Sequence, residues 1–191
     1  MAILNLIVPM RSVSIPAGAR SYFLAGPISG GDDWQRLAIA HLATYDPECF
    51  VACPCRYGED KKLQKYLVKS DGKVRFENQT HWERAFINHA AEHGCLLFWI
   101  PRESKRNPRP AKSGSYAQDT VVELGRYSER VSQRGWNMVV GAESEALPNL
   151  RTIHKNLCYD FGCNWKPEPE FPLYSSLART VRAAIAKAKG E

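Results

Sequence analysis

A chain of 191 residues, 44% hydrophobic and 24% charged, has the size and composition of one globular domain able to bury a full core. Its longest apolar run, residues 95–100, falls far short of the roughly 18 to 20 residues that cross a bilayer, so it reads as a strand and a membrane helix is excluded. The net charge of +6 favours anionic partners without choosing among them, and the basic residues of 61–73, 102–112 and 179–189 read first as solvated loops and one helix face.

Residues 1–10 are apolar, but no basic residue precedes the apolar stretch and no small-residue cleavage site follows it. The segment is therefore expected to be an edge strand or arm rather than a signal peptide. Residues 21–25 predict a strand that runs into Gly26-Pro27-Ile28-Ser29-Gly30-Gly31, with a helix from Trp34 to Tyr45 behind it. A second short strand is expected at 49–53, closed by Pro54. The polar stretch 56–78 then reads as a lid, a binding loop or an insertion.

Trp82, Ala85, Phe86 and Ala90 repeat at helical spacing over 80–92, and His93-Gly94 closes that helix. The unbroken apolar run 95–100 predicts a central strand covered on both faces. A basic loop, 102–117, leads to a helix over about 120–133 and a strand over 136–140. A short helix around 150–156, an irregular segment 158–171 and an amphipathic helix 173–189 complete the chain. This alternation implies a single α/β domain, a Rossmann/flavodoxin-like doubly wound sheet of about five parallel strands flanked by helices. Ligands should gather beyond the carboxyl ends of the strands, where the loops 26–33, 102–119 and the one after Val140 meet.

Six cysteines in a chain with an ample core are expected to be reduced thiols, which points to the cytoplasm. A zinc site would pair Cys53 and Cys55 with Cys158 and Cys163. These pairs are separated by one and four residues where zinc sites usually have two, so no metal is expected. The five histidines show no metal-ligand spacing and no Gly-x-Ser-x-Gly is present, which removes zinc and serine hydrolases.

Three places could carry chemistry. Gly26, Gly30 and Gly31 form either a tight strand-to-helix turn or a loop whose amides approach a ligand, and they match neither the dinucleotide nor the phosphate-loop fingerprint. Thr120-Val121-Val122-Glu123 is a capping-box sequence, yet a first-turn glutamate held ionised by the helix dipole would also suit a carboxylate nucleophile, with Gly125 sparing space beside it. Thr80-His81-Trp82-Glu83 offers the same two readings. There Glu83, with Asp119, would orient a sugar or exchange a proton with a base. Trp34, Trp82 and Tyr22 are either core residues or stacking partners for a base.

Four pieces in order, Tyr22-Phe23-Leu24-Ala25-Gly26-Pro27 with Trp34, Trp82-Glu83-Arg84, Leu96 to Pro101, and Val122-Glu123-Leu124-Gly125, make residues 21–141 resemble the nucleoside 2-deoxyribosyltransferase family, and its divergent nucleoside 2-deoxyribosyltransferase-like branch above all. The resemblance implies Glu123 as nucleophile, Tyr22 as the hydroxyl that holds it, and Glu83 and Asp119 as supporting carboxyls. It further implies that the substrate meets Gly26, Pro27, Ser29, Trp34 and Trp82. Many members carry an aspartate six residues before the nucleophile; here that residue is Ala117, and Asp119 stands nearby.

The implied reaction is transfer of 2-deoxyribose between nucleobases by a retaining double displacement, with no metal or organic cofactor. The implied partners are nucleosides or nucleotides and free bases, within a homo-oligomer whose subunits complete one another's sites. Two alternatives stay open. One is hydrolysis of nucleoside 5′-monophosphates, with Ser29, Gly30, Gly31 and the basic loops on the phosphate. The other is a non-catalytic nucleotide or nucleic-acid binding module, though no recognised nucleic-acid motif is present.

Overall fold

The most apolar segment builds the centre of the sheet. β4 (Gly94–Ile100) is buried at every residue and lies between β2 (Ser21–Ala25) and β5 (Met138–Ala142). Outside β2 come β3 (Phe50–Ala52) and β1 (Asn5–Ile7), and outside β5 comes β6 (Leu173–Tyr174). All pairings are parallel and the order is β1-β3-β2-β4-β5-β6. The computed structural model describes residues 3–55, 57–110, 112, 114–144, 146, 151–161 and 171–191.

Strand alternation sends Tyr22 and Leu24 to one face and Phe23 and Ala25 to the other. On the first face, α1 (Trp34–Tyr45) and α5 (Leu177–Lys189) supply Ala38, Ile39, Leu42, Val181 and Ala184 to the core. On the second, α2 (Gln79–His93), α3 (Gln118–Arg134) and α4 (Arg151–Asp160) supply Trp82, Phe86, Leu124, Tyr127 and Leu157. The architecture is the expected doubly wound α/β sheet, with six strands rather than five. Among the described residues no helix is long and apolar enough to cross a membrane.

The N-terminal segment is an edge strand, β1, as its apolar character suggested. The additional strand, β6, comes from the start of the stretch expected to be the last helix. α5 begins only at Leu177, where the Ser176 side chain caps it by accepting a hydrogen bond from the Arg179 amide. β5 starts two residues later than expected, and Trp136 instead lies under the guanidinium of Arg134, 4.6 Å from the ring centroid. The expected helix near 150–156 is α4, while most of the irregular stretch 158–171 lies outside the described residues.

Much of the polar stretch 56–78 covers the edge of the sheet. Leu67 bridges Leu6 in parallel, and the Val68 amide donates to Leu6 O at 3.0 Å. The Asp71 carboxylate accepts from Ser12 Oγ and from the Ser14 amide, both at 2.7 Å. These bonds satisfy backbone groups on β1 and beyond it that an open edge would present to other chains.

The chain leaves β2 for β3 on one side, then crosses back over β2 to reach β4 on the other. The carboxyl ends of β2 and β4 therefore form a topological switch point, the crevice where doubly wound sheets bind ligands.

Candidate active site

At that crevice is a cleft of about 370 Å³. Its wall is formed by Phe23, Ala25, Gly26, Pro27, Ile28 and Ser29 from β2 and its loop, by Pro54 after β3, and by Glu83 from α2. The loop before α3 and α3 itself add Arg109, Gly114, Ser115, Ala117, Gln118, Asp119, Thr120 and Glu123. Two of the three loops expected at the crevice thus line it. The third, after β5, supports the second: the Glu143 carboxylate accepts from the Arg102 amide at 3.1 Å.

The first two loops are fastened to each other. The Ser104 amide donates to Gly30 O at 2.7 Å, Ser104 Oγ to Asp32 Oδ1 at 2.6 Å, and Asn107 Nδ2 to Gly31 O at 2.9 Å. Gly26 is fixed by crowding, because a Cβ there would sit 2.2 Å from Trp99 O and 2.5 Å from the Trp34 ring. Gly30 has φ +80°, and a Cβ on it would meet Arg109 Cγ at 2.3 Å. Arg109 reaches across the glycine turn, donates from Nε to Glu103 Oε1 at 2.6 Å and from Nη1 to Gly114 O, and lies over the Tyr116 ring.

Glu123 reaches the cleft from the second turn of α3, not the first. The helix begins at Gln118 behind Ala117, a non-glycine residue in the left-handed region at φ 55°, and no side chain caps it. The Thr120–Glu123 capping box is therefore not formed, and the dipole of the first turn is a full turn away. Half-burial pushes the Glu123 carboxyl up, the charges of Glu83 and Asp119 push it further, and Arg126 opposes them. This reverses the expectation that Glu123 is held ionised by its helix. Gly125 is not a spacer beside it either, since it is exposed and a Cβ there would meet nothing within 4 Å.

Glu83 sits a turn into α2, whose cap is Asn78, accepting from the His81 amide at 2.9 Å; the Thr80 capping box is likewise absent. Glu83 Oε1 instead accepts from Gln79 Nε2 at 2.8 Å. Asp119, exposed in the first turn of α3, completes a set of three carboxylates on the cleft wall.

Three expected site residues stand elsewhere. Tyr22 is fully buried on the face opposite α3, and its hydroxyl donates to Asp46 Oδ2 at 2.8 Å, so it does not hold Glu123. The cause is the two-residue strand period: Phe23 and Ala25 face the cleft side, and Tyr22 must face away. Burial and then the Asp46 carboxylate push the Tyr22 hydroxyl up. Burial by itself would also raise the Asp46 carboxyl, but hydrogen bonds from Arg20 and Tyr22 outweigh it and hold the group below its ordinary range.

Trp34 is buried and its Nε1 donates to Pro27 O at 3.0 Å, so it braces the turn from behind. Trp82 is buried against Phe23 and Phe86, its Nε1 donating to Arg11 O at 3.1 Å. Neither indole lines the cleft, and both are core residues. Pro54 and Arg109 line the cleft without having been singled out in the sequence; an isolated proline and one of many basic loop residues give no local signal.

The described cysteines, Cys49, Cys53, Cys55, Cys95 and Cys158, are free thiols. Cys53 and Cys55 pack on the α1 face of the sheet and Cys158 on the α3 face, so the pairs weighed for zinc do not converge; Cys163 lies outside the described residues. Compared with models of known protein families and with curated proteins, the chain matches none.

Proposed function

We propose that this protein cleaves and re-forms the N-glycosidic bond of 2-deoxynucleosides, moving deoxyribose between bases through a covalent ester on Glu123. The observation that carries this reading is the convergence of Glu83, Asp119 and Glu123 on one cleft at the switch point. Among the described lining residues the one cationic side chain is Arg109, which is already bonded to Glu103 and to Gly114 O. Such a wall favours positive charge. Glycosyl transfer develops positive charge on the sugar ring in an oxocarbenium-like transition state.

In the first step a Glu123 oxygen bonds to C1′ as the C1′–N bond breaks, and the departing electron pair takes a proton onto the base. In the second step a nitrogen of the incoming base attacks C1′ from the vacated side, loses its proton, and expels the Glu123 carboxylate. Two inversions give net retention. A 2′-hydroxyl withdraws electrons from the forming cation, which is the chemical preference for deoxyribose. Gly26, Pro27 and Ser29 would meet the substrate, while Trp34 and Trp82 support the wall from behind.

Incubation with a deoxynucleoside, with and without a second free base, tests the proposal. Base exchange without net release of sugar is expected, and absence of any glycosidic cleavage would overturn it. A second reading, hydrolysis of nucleoside 5′-monophosphates, draws on Ser29 and Arg109 as phosphate contacts. It predicts sugar phosphate release whether or not a second base is present. The three carboxylates and the engaged guanidinium favour the neutral substrate.

The family resemblance adds a homo-oligomer to the proposal. Ile28 on the cleft wall and Val122 beside Glu123, 49% and 64% exposed, are apolar side chains that a partner subunit would cover. The free thiols support a reducing compartment, the cytoplasm.

A further inference from the structure

Outside the cleft, a group of arginines shares one surface. Arg126, Arg130 and Arg134 follow one another at steps of four residues along α3, which aligns them on one helix face, each about 6 Å further along the axis. Arg84 joins them from α2, because its charge, with those of Arg126 and Arg130, reaches the hydroxyl of Tyr127. Arg126 lies over the Tyr127 ring, 6.0 Å from its centroid. Trp136, just beyond the helix, lies under the other two, its centroid 5.5 Å from the Arg130 guanidinium and 4.6 Å from that of Arg134.

Arg126 stands close enough to the cleft for its charge to act on Glu123, so the row runs from the cleft to the far end of α3. Arg84, Arg126 and Arg134 are exposed and Arg130 is half-buried. Among the described residues none of these arginines is in an ion pair, whereas Arg20, Arg36 and Arg109 are each bonded to a carboxylate. The acidic groups nearby are otherwise engaged. Glu129 accepts from Gln133 Nε2 at 3.1 Å, Glu92 stands 4.0 Å from His93, and Asp160 of α4 accepts from Ser128 on the other flank of α3. Like charges one helical turn apart repel, so a row of guanidiniums without counter-charges costs stability that an anionic partner would offset.

We propose that this row, Arg84 with Arg126, Arg130 and Arg134, binds the phosphodiester backbone of a single-stranded nucleic acid. The planar guanidinium fork matches two phosphate oxygens at once, and α3 carries arginines but no lysine. Cations repeated at every helical turn suit a chain of regularly spaced anions better than one compact anion. α3 buries Leu124, Tyr127 and Val131 against the sheet and holds α4 at its side, so it cannot enter the groove of a duplex as a recognition helix does. A single strand laid along the row keeps its bases free to stack on the guanidiniums that lie over Trp136. The charged segments 61–73, 102–112 and 179–189 contribute none of these residues. The proposal stands apart from glycosyl transfer, since this binding breaks no bond.

Fluorescence anisotropy of a labelled single-stranded DNA of mixed sequence, about a dozen nucleotides long, titrated with the full chain at several salt concentrations, tests this. Contacts from all the arginines of the row predict that log affinity falls against log salt with a slope of about 2.8, at roughly 0.7 per phosphate. Arg130→Gln combined with Arg134→Gln should halve that slope and weaken binding at least about tenfold at low salt. Arg84→Gln, on a separate helix, should lower the slope by about 0.7 and leaves α3 untouched. Arg179→Gln combined with Lys187→Gln removes the same charge from α5, on the opposite face of the sheet, and should change affinity by less than about twofold. Absence of binding, an equal loss in the α5 variant, or an unchanged slope in Arg84→Gln would each overturn the inference. So would tighter binding of the same DNA as a duplex, or equal affinity for a poly-glutamate peptide or for vesicles of phosphatidylserine.

Discussion

Glu83 on α2 and Glu123 on α3 line one cleft, and after burial the charge of Glu83 is the largest influence that pushes the Glu123 carboxyl up. The two residues are 40 positions apart in the chain and meet because α2 and α3 pack on the same face of the sheet. Their relationship governs how the proposed reaction depends on pH.

A nucleophile must be ionised, so activity should fall as pH drops through the raised Glu123 value. The acid limb of kcat/KM is expected above the ordinary glutamate value of about 4.3. Glu83→Gln removes one of the two repelling charges and should move the limb down. A limb at the ordinary value that no substitution at Glu83 displaces would contradict this coupling.

The same shift has a sign for stability. A carboxyl raised in the fold contributes stability below its unfolded value and loses it as pH rises through the folded one, so ionised Glu123 burdens the fold at neutral pH. Glu123→Gln should therefore raise stability at pH 7, on the order of 0.5 kcal/mol for a half-exposed group. That gain should vanish in melts taken near pH 3. The variant should also lose at least about a thousandfold in transfer rate, which a binding-only protein would have no reason to show.

Tyr22→Phe separates the observed arrangement from the one the resemblance implied. It removes the hydroxyl that donates to buried Asp46 and should cost about 1 to 2 kcal/mol in denaturant unfolding. Because the ring lies on the far face from Glu123, kcat should stay within about twofold of wild type. A large fall in kcat at unchanged stability would return Tyr22 to the site.

Two glycines of the sequence pattern should respond in opposite ways. Gly26→Ala places a methyl group against Trp99 O and the Trp34 ring and should destabilise by about 1 to 3 kcal/mol, with loss of activity. Gly125→Ala meets open space inside a helix and should stabilise by about 0.5 to 1 kcal/mol. Thermal melts of the two variants decide both.

What the sequence disclosed follows the reach of each signal. The unbroken run of β4 and the strand-helix alternation specify a doubly wound sheet, because burial on both faces leaves no other placement for such segments. β6, two residues long, carries too little pattern to be seen. The glycine turn and the three carboxylates of the cleft were legible as types at fixed places. The direction in which Glu123 titrates was not, since it depends first on burial in the folded cleft and then on a neighbour from another helix. Tyr22 shows the opposite failure: a residue next to the right motif, turned away by the period of its own strand. Ala117, a non-glycine residue in the left-handed region just before α3, is a strained backbone position that no sequence pattern announced.

The central claim is that Glu123 forms the glycosyl ester. Mass spectrometry of the protein after reaction with a slow 2-deoxy-2-fluoro nucleoside, followed by peptide mapping, reads this directly. The expected result is a mass gain of one sugar on the peptide that contains Glu123, lost on addition of a free base. A sugar adduct on Glu83, Asp119 or any other residue would contradict the account.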